Sequence, residues 1–265
     1  MKKTLPFDFI YQVVALVVAV IVVHLVYVTV VRPNADADLE AQEQQALVEE
    51  DFVPERSLYI VLHNFEQECC FILMFWAMAI MGLKTRNCLR ERRMLQNPFV
   101  EVTEGMSILP EDTREYSRPL QALPEATRNN LLPRAMLAAL QRFASTSNVQ
   151  DVSNAVRGVC DTESDRLDSE LAMVRYIAWA IPSIGFIGTV RGIGAALGQA
   201  YRAVEGDISG VTANLGVAFN STFVALVISI VVMFLMHQLQ LIQERLVLDT
   251  QHYCDDYLIR HMQVR

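Results

Sequence analysis

A chain of 265 residues with 52% hydrophobic residues and a mean hydropathy of +0.26 lies close to the apolar content of soluble domains, so its class rests on where those residues fall. The net charge of −8 argues against nucleic-acid binding by bulk charge, for which a basic patch is expected. Five cysteines give no disulfide framework, and His252, Cys254, Asp255 and His261 follow no common metal-ligand spacing, so neither a metal nor a cofactor is expected.

In chain order, residues 1–9 read as a short N-terminus carrying Lys2 and Lys3. Residues 10–31 are the first span, since ~20 apolar residues cross a ~30 Å hydrocarbon core. Ala35-Asp36-Ala37 imitates a cleavage site, but the apolar run far exceeds the ~7–15 residues of a signal peptide. Residues 32–57 form an acidic loop with Asp36, Asp38, Glu40, Glu43, Glu49, Glu50, Asp51 and Glu55. The second span, 58–83, is apolar throughout only over 69–83 and borrows its first residues from a weaker stretch.

Residues 84–170 form a helical domain whose middle is broken by Pro98, Pro110, Pro119, Pro124 and Pro133. Beyond Pro133, Met136, Leu137, Leu140 and Phe143 fall at helical spacing. Ser147-Asn148-Val149-Gln150 reads as a capping box. Helix from there to about Val204 would measure ~85 Å, so the third span, 171–204, extends beyond the bilayer from about residue 148. A turn at 205–210, a fourth span at 211–237 and a helical tail at 238–265 complete the chain.

Lys2, Lys3, Lys84, Arg86, Arg90, Arg92 and Arg93 flank the first two spans on one side and the acidic loop lies on the other. Both termini and the 84–170 domain are therefore expected in the cytoplasm, with the acidic loop outside. The fold class is an all-α integral membrane protein with four transmembrane helices, the last two extended far into the cytoplasm.

In the third span, Gly185, Thr189, Gly192 and Ala196 share one helix face, and in the fourth Ala218, Thr222, Ala225 and Ser229 repeat the spacing. Gly188-x-x-x-Gly192 is also a small-xxx-small motif. Two readings stand: close helix packing in lipid, or a threonine-lined path for ions. A hydroxyl suits a wire of waters but holds no transported proton at neutral pH. Neither stripe contains Asp, Glu or His, so a proton path here needs a carboxylate from another chain.

Pro182-Ser183-Ile184-Gly185-Phe186-Ile187-Gly188-Thr189-Val190-Arg191-Gly192 resembles the Pro-x-x-Gly-x-x-Gly-Thr-Val-x-Gly signature of the MotA/TolQ/ExbB proton-channel family. Leu215-Gly216-Val217-Ala218-Phe219-Asn220-Ser221-Thr222 resembles the family's last span, and the likeness covers about 171–240. The resemblance implies a homopentamer in the bacterial inner membrane around a dimer of a single-span MotB/TolR/ExbD-like partner that supplies an essential aspartate. It implies that Thr189 and Thr222 face the pore, with Asn220 and Ser221 beside them, and that Pro182 bends the third helix. Gly185, Gly188, Gly192, Ala218 and Ala225 would pack around the path. Arg191 departs from the family, which often has Trp or an apolar residue there, and the charged torque-generating segment of MotA is not found in 84–171.

An arginine near mid-membrane costs ~3 kcal/mol or more unless it finds a partner or water. Glu66 and Glu68, placed about nine to eleven residues into the second span, are candidate partners, and His24 is positioned to join them. A structural ion pair of Arg191 with Glu66 or Glu68 is expected. The alternative is that the glutamates lie above the membrane and Arg191 snorkels outward.

The leading functional reading is the pore-forming subunit of a proton- or sodium-driven motor. The alternative is a non-conducting membrane scaffold. No nucleotide motif, metal triad or nucleophile–base pair points to an enzyme.

Overall fold

The computed structural model describes residues 7–46, 57–96 and 107–263. Lys2, Lys3, Glu49, Glu50, Asp51, Glu55 and Pro98, used above to read orientation and boundaries, lie outside the described residues. Among the described residues every named element is helical, and pairing of the strand kind is confined to an isolated parallel bridge between Ile108 and Met262. Among the described residues four helices carry apolar stretches long enough to cross a membrane. The described residues are those of an all-α integral membrane protein, with four transmembrane helices among them.

The chain divides into two units, residues 1–81 with 173–236 and residues 82–172 with 237–265. In the first, helix α1 (Phe7–Val26) runs through a π-helical turn (Tyr27–Val31) into α2 (Arg32–Ala46). The acidic segment expected as loop from residue 32 is thus helical as far as Ala46. Most of α1 is exposed and apolar, including Val14, Val18, Ile21 and Leu25, as a helix bathed in lipid requires. Its contacts are specific all the same. Tyr11 donates to the carbonyl of Ala79 at 3.1 Å, and the Trp76 indole N–H donates to that of Gln12 at 2.9 Å. Tyr27, Val31 and Val23 pack with Leu62, Phe71 and Ile72.

The second span does not run unbroken from residue 58. A short helix α3 (Leu58–Leu62), capped by the Ser57 hydroxyl, stops at His63, and α4 (Phe65–Met94) starts afresh. Glu66 and Glu68 therefore occupy the first turn of α4, not a position nine to eleven residues inside a helix. Carboxylates are favoured there by the helix dipole. The Gln67 amide bridges the break by donating to the Val61 carbonyl at 3.1 Å.

In the same unit α9 (Ala172–Gly198) lies beside the first part of α11 (Ser209–Tyr257), and a short α10 (Ala200–Val204) follows α9. The buried positions of α9 are small or medium, with Gly185, Gly188, Gly192 and Ala196 among them. Large residues such as Trp179, Phe186, Val190 and Leu197 are exposed. Small inside and bulky outside is the pattern of helices that pack closely in lipid.

The second unit has a soluble-type core. Helix α5 (Thr113–Gln121), α6 (Glu125–Arg128), α7 (Leu131–Thr146) and α8 (Val149–Glu170) surround Met136, Leu140, Phe143, Val152, Val156 and Cys160. Ser147 is not the cap of α8: it takes a left-handed φ of 47° and closes α7, its N–H donating to Phe143. Asn148 caps α8 instead, accepting from the Gln150 N–H at 2.9 Å. The cap thus lies one residue beyond the expected Ser147, because the tight corner between α7 and α8 uses Ser147 as its turn. The helix is also interrupted at Leu171, which donates back to Asp168.

Helix α11 (Ser209–Tyr257) continues without a break through the residues expected as the fourth span and into the expected tail as far as Tyr257. In its last part Leu239, Gln243, Leu246, Thr250 and Tyr253 are buried at helical spacing, forming one stripe.

Candidate functional site

The two small-residue stripes meet each other within one chain. A Cβ built on Gly192 would lie 2.8 Å from the Cβ and backbone N of Ala218. One on Gly185 would lie 2.5 Å from the Ala225 Cβ and 3.2 Å from the Ser221 carbonyl. One on Gly188 would lie 2.6 Å from the Ser221 Cβ and 3.1 Å from the Glu66 Cγ. Real Cβ atoms do not approach so closely, so these three glycines set the distance between α9 and its neighbours.

Thr189 and Thr222 sit within this contact and their hydroxyls hydrogen-bond each other. Thr189 Oγ1 also lies 3.1 Å from the Ala218 carbonyl and 3.2 Å from that of Gly185; Thr222 Oγ1 lies 3.3 Å from the latter. Each hydroxyl has a single proton. One threonine therefore donates to the other, which donates to a carbonyl, and the direction can reverse by rotation. Both are half-buried, as is Asn220 next to them, and Ser221 is buried. Ser183 is exposed and donates to the Trp179 carbonyl at 3.0 Å.

Pro182 lies inside α9 and has no N–H for the carbonyl four residues earlier, that of Ala178. The buried Ser229 hydroxyl donates to that carbonyl at 3.2 Å. The fourth member of the α11 stripe thus replaces the missing helical bond.

Two separate charged groups meet the first turn of α4. Arg191 Nη2 donates to Glu66 Oε2 at 2.9 Å and to Asn64 Oδ1 at 3.3 Å. Glu68 faces the other way: Arg32 Nη2 donates to its Oε2 at 2.6 Å, and His24 Nδ1 lies 2.7 Å from its Oε1. Both glutamates are buried, 6% and 2% exposed, whereas the Arg191 side chain is half exposed. A buried carboxylate is tolerable only with such partners.

Between the two glutamates Gln67 is fully buried; its Nε2 lies 3.4 Å from Ser221 Oγ as well as bonding Val61, while its Oε1 accepts nothing. Gln67, Asn64 and Arg32 did not stand out in the sequence. The available signal was the triplet Glu66-Gln67-Glu68, three consecutive polar side chains that a helix must send in three directions about 100° apart.

The second unit carries its own ionic cluster. Glu163, nearly inaccessible, is bound by Arg134 at 3.0 Å and by Arg166, and Glu170 pairs with the buried Lys84 at 2.8 Å. Glu91 caps α7 from outside, accepting the Leu131 N–H at 3.1 Å. Burial would raise the Glu163 carboxyl, but the hydrogen bonds and charges of Arg166 and Arg134 outweigh it and hold it below the usual carboxylate range. Burial raises the Glu91 carboxyl despite that capping bond. Among the described residues no group of three or more His, Cys, Asp or Glu is placed to hold a metal.

Fold and site together define a multi-pass membrane protein with a polar seam between tightly packed helices. The model of the MotA/TolQ/ExbB proton channel family matches residues 127–252, and over that segment the chain is similar to the family. The family is one of membrane channels rather than enzymes, and the match leaves the subgroup open. Thr189, Arg191, Ser221 and Thr222 lie inside the matched segment; Glu66, Gln67 and Glu68 lie outside it. No curated protein and no solved structure matches.

Proposed function

We propose that the chain is the pore-forming subunit of an ion-driven membrane motor. Five copies surround a dimer of a single-span, MotB/TolR/ExbD-like partner whose aspartate carries the ion, H⁺ or Na⁺, past Thr189 and Thr222. Protonation and release of that aspartate turn the pentamer relative to the dimer. The membrane potential supplies ~2.3 kcal/mol per charge per 100 mV for each step. The assembly sits in the bacterial inner membrane with both termini in the cytoplasm.

The observation that carries this reading is the bonded pair Thr189–Thr222 inside the family-matched segment. A reversible hydroxyl pair at a helix seam is what a hopping ion needs alongside its carrier. Asn220 and Ser221 extend the same polar strip, and Pro182 with Gly185, Gly188, Gly192, Ala218 and Ala225 keeps the helices close enough to form it. The Arg191–Glu66 and His24–Glu68–Arg32 contacts fasten α4 to the helices on either side.

The second reading, a non-conducting scaffold, draws on the same close contact: Gly185, Gly192, Ala218 and Ala225 are used up in packing within one chain. Native mass of the complex in mild detergent separates the two. Five copies with two of a small single-span protein bearing an intramembrane aspartate support the motor. A monomer or dimer without such a partner supports the scaffold.

A further inference from the structure

The threonine seam lacks a titratable group, yet the chain places one of its own beside it. Glu66 comes from α4, and its Cγ lies within 3.1 Å of the Cβ position of Gly188, the residue before Thr189. The Ser221 hydroxyl, from the residue before Thr222, lies within 2.7 Å of that same point. Glu66 and Ser221 thus converge on Gly188 immediately beside the threonine pair. On its other side Glu66 meets Arg191, whose half-exposed side chain also reaches Asn64.

Gln67 supplies an independent sign that this place handles a mobile donor. It is fully buried, its amide N–H₂ faces Val61 and Ser221, and its Oε1 accepts no hydrogen bond. Flipping the amide would set an oxygen against the Val61 carbonyl, so the unsatisfied atom is the oxygen. A buried amide oxygen left unpaired costs on the scale of a lost hydrogen bond and calls for a donor. A proton-carrying water is a donor of the kind that such an oxygen accepts.

We propose that Glu66 is a proton-accepting station of this chain, set between the threonine pair and the half-exposed Arg191. A hydronium beside Gln67 and Ser221 gives a proton to Glu66: one of its O–H bonds breaks, an O–H bond forms on the carboxylate, and neutral water remains. Glu66 loses its charge, Arg191 keeps its own, and the ion pair releases. When the proton leaves to water, the carboxylate recaptures Arg191. Arg191, where the family often has Trp or an apolar residue, then acts as a counter-ion that competes with the proton. This rests on the channel reading and adds to it a carboxylate supplied by the pore subunit itself.

The test is proton flux through the complex purified from its membrane and reconstituted in vesicles, with Glu66→Gln and Gln67→Leu beside the unchanged protein. Glu66→Gln keeps an oxygen for Arg191 and removes the titrating group; flux is expected to fall at least tenfold with the subunit ratio unchanged. Wild-type flux in Glu66→Gln overturns the proposal and leaves the channel reading intact. Where Glu66→Gln fails to assemble, Gln67→Leu decides, since it leaves the Arg191–Glu66 pair untouched: lowered flux supports the station and wild-type flux overturns it. No flux in the unchanged complex sinks both readings together.

Discussion

The Ser229 hydroxyl donates at 3.2 Å to the Ala178 carbonyl, the acceptor that Pro182 deprives of its helical partner. A proline inside a membrane helix is tolerated when a neighbour satisfies the freed carbonyl, and here α11 supplies that neighbour. Ser229→Ala is expected to destabilise the protein by about 1–2 kcal/mol, read as a lower melting temperature in detergent. Pro182→Ala restores the backbone N–H, so the double variant should lose much less than the sum. A strictly additive pair would show that the contact contributes nothing.

Glycines of α9 divide by what faces them. Gly192→Val must push Ala218 away and should part the helices, with loss of folded protein in thermal assays. Gly194 and Gly198 have nothing within 4 Å of a built Cβ, so Gly194→Ala should be neutral or stabilising by up to ~1 kcal/mol in the isolated chain. Equal tolerance at 192 and 194 would contradict the packing described.

Much of this was readable in the sequence, because the stripe Gly185, Thr189, Gly192, Ala196 has a helical period whichever helix receives it. The facing of the two stripes was not, since period gives a face but no partner. The break at His63–Asn64 was hidden for a similar reason: residues 58–62 are apolar and lack proline or glycine, and only the burial of Glu66, Gln67 and Glu68 against three different helices fixes where α4 starts. Arg32 passed as the first residue of a loop because helix continuing beyond an apolar run leaves no hydropathy signal.

Arg191→Met leaves the buried Glu66 carboxylate without its cation. Breaking a buried pair costs ~3–5 kcal/mol, and the exposure of Arg191 puts this case toward the lower end. Lower thermal stability or assembly yield is expected; unchanged stability and assembly with abolished flux would contradict a fastening role for this pair. Arg32→Met should likewise weaken the hold of Glu68 on the first helix.

Two carboxyls of the second unit should respond to acid with opposite sign. Glu163 is held below its unfolded value, so its contribution is complete above the ordinary carboxylate range and is lost as pH falls through the lowered folded value. Glu91 is held above its unfolded value, so its ionisation opposes folding, and that penalty is relieved as pH falls through the raised value. Melting temperature against pH should therefore lose its acid-side fall in part with Glu163→Gln, and its milder acid-side gain with Glu91→Gln. Parallel curves for all three proteins would contradict these assignments.

The central claim is that ions pass beside the threonine pair. Thr189→Val and Thr222→Val preserve shape and remove one hydroxyl each, so ion flux through the reconstituted complex tests it most directly. Each variant is expected to assemble with its partners and to conduct at a tenth or less of the normal rate. Assembly with undiminished flux in both would contradict the claim and leave the seam as packing alone.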